Sequence, residues 1–154
     1  MNKLIYLVPG IFIAVGANIM FHGFNSLLLA HASASWPMVQ GQIIHSEIKR
    51  SSDSDGTTYE PIVRFTYQVR GREFRGNKVF FGTGNVSNSN ISYSRRITQK
   101  YPQGKNVKVS YDSSDPQKSV LEAGLHKQSF IQLTFGVLFF LMGNGIGILI
   151  WLFD

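Results

Sequence analysis

The sequence predicts an α+β protein in which two transmembrane helices flank a small, mainly antiparallel β domain with one short helix. Three observations carry that prediction. Residues 4–29 and 130–153 are long apolar stretches without a single Asp, Glu, Lys or Arg. Most of the region between them is polar, and parts of it alternate with the period of a half-buried strand. One segment inside it instead repeats its apolar residues at helical spacing.

The apolar stretches come first. About 20 helical residues cross a hydrocarbon core, and both stretches exceed that length. Met1-Asn2-Lys3, the apolar run and then Ala32-Ser33-Ala34 have the outline of a secretory signal. The run is much longer than the usual signal core of about 7–15 residues, so it reads as an uncleaved anchor. Pro9 sits near its first turns, where it starts or bends the helix. Asn18, His22, Asn25 and Ser26 share one face of the first helix. Gln132 and Asn144 interrupt the second, and Gly136, Gly143 and Gly147 line one face of it. Gly143–Gly147 and Gly10–Ala14 are small-xxx-small pairs, which let helix backbones approach closely. Asn18, His22, Asn25, Gly136, Gly143, Asn144 and Gly147 are therefore expected to pack the two spans together. Self-association as a homo-oligomer is the other use of the same residues. His22 has no acid or strong base beside it in either span, so packing is favoured over a proton relay.

The domain, residues 36–125, follows in order. Trp36-Pro37 marks the exit from the membrane, where Trp is favoured. A strand is expected over 39–49 and a polar loop over 51–58. In the strand 59–69, Val63, Phe65, Tyr67 and Val69 point one way and Ile62, Arg64, Thr66 and Gln68 the other. Arg70-Gly71 is a hairpin turn, and the return strand is expected over 72–81. Residues 85–90 are a Ser- and Asn-rich loop. Tyr93, Ile97 and Tyr101 recur at helical spacing over 91–101, and Pro102 and Gly104 end that helix. Val107, Val109 and Tyr111 form a further strand, Asp115-Pro116 a turn, and residues 119–121 a last short strand. The sheet is expected to curl toward a partial barrel.

Composition limits the chemistry. The formal net charge is +6, and because Lys3 and Asp154 cancel, the excess lies in the domain. A basic domain tethered beside a bilayer favours anionic lipid, then an acidic protein partner; no nucleic-acid motif accompanies the charge. The absence of cysteine excludes disulfides, thiolate catalysis and cysteine-based metal sites. Residues 51–56 resemble part of a calcium loop, but Ser51 and Ile62 stand where acids are required. Gly82-Thr83-Gly84 lacks the Lys that follows a phosphate cradle. His31, His45 and His126 have no metal-ligand spacing. No catalytic, metal or cofactor site emerges. Arg64, Arg70, Arg72 and Arg75 cluster on one hairpin and are the expected partner-binding residues.

The residues from Trp36 to Gly124 resemble the bacterial family known as domain of unknown function 3592. The likeness rests on Trp36, Gly41 and Ile43, and on Tyr59, Pro61, Phe65, Tyr67 and Gly71. It continues in Tyr101-Pro102-Gln103-Gly104 and Val107-Lys108-Val109-Ser110-Tyr111-Asp112, and closes with Asp115-Pro116 and Ser119-Val120-Leu121-Glu122. It implies a membrane-anchored β-rich domain and supplies no catalytic residues. The expected function is a non-enzymatic, membrane-anchored protein-interaction module, with an immunity protein against an envelope-targeted toxin as one concrete form. The alternative is an oligomeric lipid-binding or small-molecule passage protein. The expected location is a bacterial inner membrane, multi-pass, with the domain outside the cytoplasm and the lipid bilayer and a protein as partners.

Overall fold

The computed structural model describes residues 3–54, 56–82 and 88–153. Asp55 of the calcium-like segment, residues 83–87 of the loop before the short helix, and the two terminal charges' neighbours Met1, Asn2 and Asp154 itself lie outside the described residues. A short 3-10 turn, Lys3–Tyr6, leads into α1 (Leu7–Ser33). Pro9 is the third residue of α1, where backbone N–H groups have no intrahelical partner to lose. At the far end, the 3-10 turn Lys127–Phe130 opens into α3 (Ile131–Phe153).

The two long helices form an antiparallel hairpin whose contact line is made of small residues spaced by seven. Pro9, Gly16, Gly23 and Ala30 are buried on α1. Ser129, just before α3, and Gly136 and Gly143 within it are buried opposite. Backbone meets backbone along this line. A Cβ added at Gly16 would lie 2.5 Å from the Phe140 nitrogen, and one at Gly136 would lie 2.5 Å from the Met20 nitrogen. At Gly23 the distance to the Leu133 nitrogen would be 2.7 Å, and at Gly143 that to the Ile13 nitrogen 2.8 Å. Phe12 stacks on Phe139 at 5.7 Å beside the seam. A seven-residue repeat suits left-handed wrapping.

Of the four-residue pairs expected to make this contact, Gly143 lies on the seam, whereas Gly10 and Gly147 take little part in it. Gly10 has nothing within 4 Å of its added Cβ, and Gly147 meets only Pro9, at 3.8 Å. The polar residues also differ from expectation. Asn18 and His22 are exposed on the outside of the hairpin. The reason is geometric: Asn18 lies about 200° around the helix from Gly16, so it cannot face α3. Asn25 is half-buried, and Asn144 donates to its own helix, to Phe140 O at 2.7 Å.

α1 also outruns its expected end. Gly23 is level with Leu133, two residues into α3, so the ten residues from Gly23 to Ser33 rise about 15 Å past that level. Ala30 is fully buried and Leu29 packs on the core of the head. Helical hydrogen bonding continues to Ser33 because nothing in residues 25–33 breaks it.

The head is one five-stranded antiparallel sheet in the order β3-β2-β1-β4-β5. Its strands are β1 (Met38–Asp53), β2 (Gly56–Val69), β3 (Arg72–Gly76), β4 (Asn106–Tyr111) and β5 (Ser119–Val120), with α2 (Ile91–Lys100) before β4. The alternation read in β2 holds, since Val63, Phe65, Tyr67 and Val69 are all buried. Arg70 (φ 51°) and Gly71 (φ 76°) make the tight turn, both in the left-handed region that a two-residue primed turn requires. A register shift between Ile43 and His45 marks a bulge in β1.

Two boundaries differ from expectation. Residues 51–53 and 56–58 of the expected polar loop continue the β1–β2 ladder, with Ser51 opposite Thr58, Asp53 opposite Gly56 and the Ser52 and Thr57 hydroxyls 3.1 Å apart. Backbone pairing propagates there without apolar alternation, helped by threonine's strand preference. The return strand, in turn, stops at Gly76 rather than running to Phe81. An added Cβ at Gly76 would strike the Phe65 ring and lie 2.6 Å from Ser119 Oγ, so the sheet edges are in contact there. Beyond Gly76 the chain crosses to the other edge: Leu121 N donates to Lys78 O at 3.2 Å and Glu122 N to Val79 O at 2.7 Å. These bonds curl the sheet into a partial barrel around Ile43, Val63, Phe65, Val79, Val109 and Val120, all fully buried. The Tyr67 hydroxyl donates to Pro116 O and ties the β4–β5 turn to this core.

Replacing Gly136 by Leu should force the hairpin seam apart. Overpacking of this kind costs about 1–3 kcal/mol, or roughly 3–10 °C in a chain of this size, read as the thermal midpoint of the detergent-solubilised protein. Gly145→Leu, where an added Cβ meets nothing within 4 Å, should leave the midpoint unchanged.

Candidate functional site at the membrane junction

Small residues and short hydrogen bonds bind the head to the two spans. Ser33 Oγ, fully buried, donates to Ala30 O at 2.7 Å and accepts from Gly124 N at 2.9 Å, so the end of α1 is pinned to the segment that returns to the membrane. Ser129 Oγ donates to Phe81 O at 2.8 Å and accepts from His126 N at 3.3 Å. Gly82 (φ 108°) allows the close approach, because a Cβ there would lie 2.6 Å from Ser129 Cα. Trp36 meets Phe81 edge to face at 5.5 Å, and Phe80 lies 5.3 Å from the His126 ring. Ser33, Gly82, Gly124 and Ser129 were not singled out from the sequence as site residues. The legible signal was Ser129 lying seven residues before Gly136, in phase with Gly143.

Beside this junction, Glu122 Oε1 accepts from Lys100 Nζ and from the Tyr101 hydroxyl, both at 2.9 Å. Burial pushes the Glu122 carboxyl up, but the hydrogen bonds from Lys100 and Tyr101, the Lys100 charge and nearby His126 outweigh it and hold the group below its usual range. Burial, then the hydrogen bond and charge of Glu122, push the Tyr101 hydroxyl far up. The cluster clamps the end of α2 to the segment after β5. It holds one acid engaged by a cation, and among the described residues no second acid converges on it.

Two concave surfaces flank the junction. Where α3 begins, a groove of about 570 Å³ runs between the hairpin and the head, lined by Ile19, Ile131, Gln132 and Phe135 on the spans and by Asn88, Tyr93 and Gln128 above. Burial, then the charge of Glu122, raise the Tyr93 hydroxyl, and Arg96 opposes them. On the outer face of the sheet, Gln40, Gln42, Thr66, Gln68, Asn106 and Glu73 line a shallow polar depression of about 360 Å³.

The four arginines do not converge on one face. Arg64, opposite His45, and Arg75, opposite Thr66, belong to the outer face of the sheet. Arg75 Nε lies 3.4 Å from Glu73. Arg72 is opposite the inward-facing Val69, and Arg70 is in the turn. Strand alternation separates residues 72 and 75 even though they are close in sequence. Among the described residues, no group of three or more His, Cys, Asp or Glu side chains comes together as a metal site.

The Glu122 clamp predicts a pH dependence. A depressed carboxyl contributes stability above its unfolded pKa of about 4.3, and loses that contribution as pH falls through the folded value. Thermal unfolding should therefore show the wild type above Glu122→Gln near neutral pH, with the two curves converging as pH falls below the unfolded value.

No curated protein and no solved structure matches the chain. Residues 39–126 match the family described as Domain of unknown function (DUF3592). That segment is nearly the whole head and more than half of the chain, so the protein belongs to the DUF3592 family.

Proposed function

We propose that the chain is a non-enzymatic, membrane-anchored interaction module that meets a protein partner beside the bilayer. The observation that carries this reading is the polar depression on the outer face of the sheet, at Gln40, Gln42, Thr66, Gln68 and Asn106. Amide and hydroxyl side chains there offer both donors and acceptors. The Ser33 and Ser129 hydrogen bonds hold that face in a fixed relation to the spans. An immunity protein that meets an envelope-targeted toxin is one specific form of such a module.

A photo-crosslinking residue placed at Gln42 in the full chain in native membranes should give a discrete protein adduct, and one placed at Gln99 on the exposed side of α2 should not. Equal labelling from both positions, or none from Gln42, would remove this reading. Lipid binding is the second reading, favoured by the groove at Ile131 and Phe135, whose apolar wall continues along the lipid-facing side of α3.

We place the protein in a bacterial inner membrane with the head outside the cytoplasm. The chain has no cysteine, so Lys49→Cys gives a clean test. A membrane-impermeant maleimide should label that variant in intact cells; labelling only after lysis would reverse the orientation.

A further inference from the structure

Where α1 enters the head, a pocket of about 210 Å³ opens against Leu29, and Arg75, Lys78 and Lys118 are among the residues that line it. Two of these cations have an acidic neighbour at 3.4 Å, Glu73 for Arg75 and Asp115 for Lys118. The set therefore keeps a net positive charge, with Lys78 free of any ion pair among the described residues. Below the pocket, Asn18, His22, Asn25 and Leu29 follow one another at spacings of four, three and four, which is a single stripe along α1. Asn18 and His22 on that stripe are exposed. At about 1.5 Å per residue, Asn25 lies roughly 6 Å and His22 roughly 10 Å below Leu29.

Polar side chains that face lipid require partners, and here they descend from a basic pocket at the level where α1 leaves the bilayer. Phospholipid presents the same order of groups, with phosphate outermost, ester oxygens next and acyl chains below. We propose that the Arg75, Lys78 and Lys118 pocket holds the phosphate of an anionic phospholipid whose glycerol-ester region is hydrogen-bonded by Asn25 and His22. The site needs only that α1 and α3 span a bilayer, and it is independent of any protein partner on the sheet face.

The test uses the full chain reconstituted in vesicles of phosphatidylcholine containing one-fifth phosphatidylglycerol, then extracted in mild detergent, with the retained lipid counted by mass spectrometry. Wild type should retain phosphatidylglycerol in preference to phosphatidylcholine. Arg75→Gln/Lys78→Gln/Lys118→Gln should reduce that preference about tenfold or more, given the usual strength of juxtamembrane cations. A control losing the same charge elsewhere, Lys49→Gln/Arg50→Gln/Arg64→Gln, should keep it. Asn25→Leu/His22→Leu, which makes the span more apolar and leaves the head untouched, should also weaken retention. Equal losses in the pocket variant and its charge control would overturn the site in favour of general attraction. Displacement of the lipid by millimolar inorganic phosphate would overturn the lipid as its occupant. Absence of any phosphatidylglycerol preference in wild type would overturn it outright.

Discussion

Close contact between two backbones at Gly16, Gly23, Gly136 and Gly143 is the constraint from which the rest of the architecture follows. In lipid there is little hydrophobic gain from bringing helices together, so association depends on packing and polar contacts. Removing side chains from the seam lets the helix surfaces meet over a long line, with side chains such as Met20, Ile13 and Phe12 set against the opposing glycines. The seven-residue spacing keeps that line in phase for several turns. It also fixes which faces of the hairpin are left for lipid, and therefore where Asn18 and His22 point.

The same phase runs on into the head. Ala30 lies seven residues after Gly23, and Ser129 seven before Gly136. Both are fully buried, one in the core of the head and the other under Phe81. The spans and the head therefore share one continuous packed line. A flexible linker would let the domain tumble beside the membrane, whereas buried hydroxyls at Ser33 and Ser129 fix its angle. That angle brings the β3 and β5 ends, with Arg75, Lys78 and Lys118, against α1 at Leu29, and α2 with Tyr93 toward the start of α3.

The placement of charge has a consistent physical outcome. No acid, lysine or arginine occurs within residues 4–29 or 130–153, so every strong ionic group is carried by the ends or the head. Within the head, Glu122 is engaged by Lys100 and Tyr101, while Arg64, Arg72 and Arg75 are exposed. A head of this size has its interior filled by Ile43, Val63, Phe65, Tyr67 and Val109. The concave features lie on its surface: a polar sheet face, a groove beside α3 and a basic pocket beside α1.

Local pattern alone determined a good part of this. Long uncharged apolar runs specify helices in lipid because no other element satisfies its own backbone there. Strict alternation from Val63 to Val69 specifies a strand with one buried face. Asn90, whose side chain accepts from Ser92 N at 2.9 Å, and Pro102 bracket a short helix for equally local reasons. What tertiary structure decided were the matters that depend on a partner far along the chain. The polar residues 51–53 and 56–58 are strand because each run completes the other's hydrogen bonds. Residues 77–81 leave the sheet because Gly76 closes against Phe65 and Ser119, more than forty positions away in the latter case. Which glycines form the seam, and whether Asn18 faces a helix or lipid, required the phase of one helix against the other. The candidate sites belong to this second class, since residues 29, 75, 78 and 118 come together only when the sheet edges close.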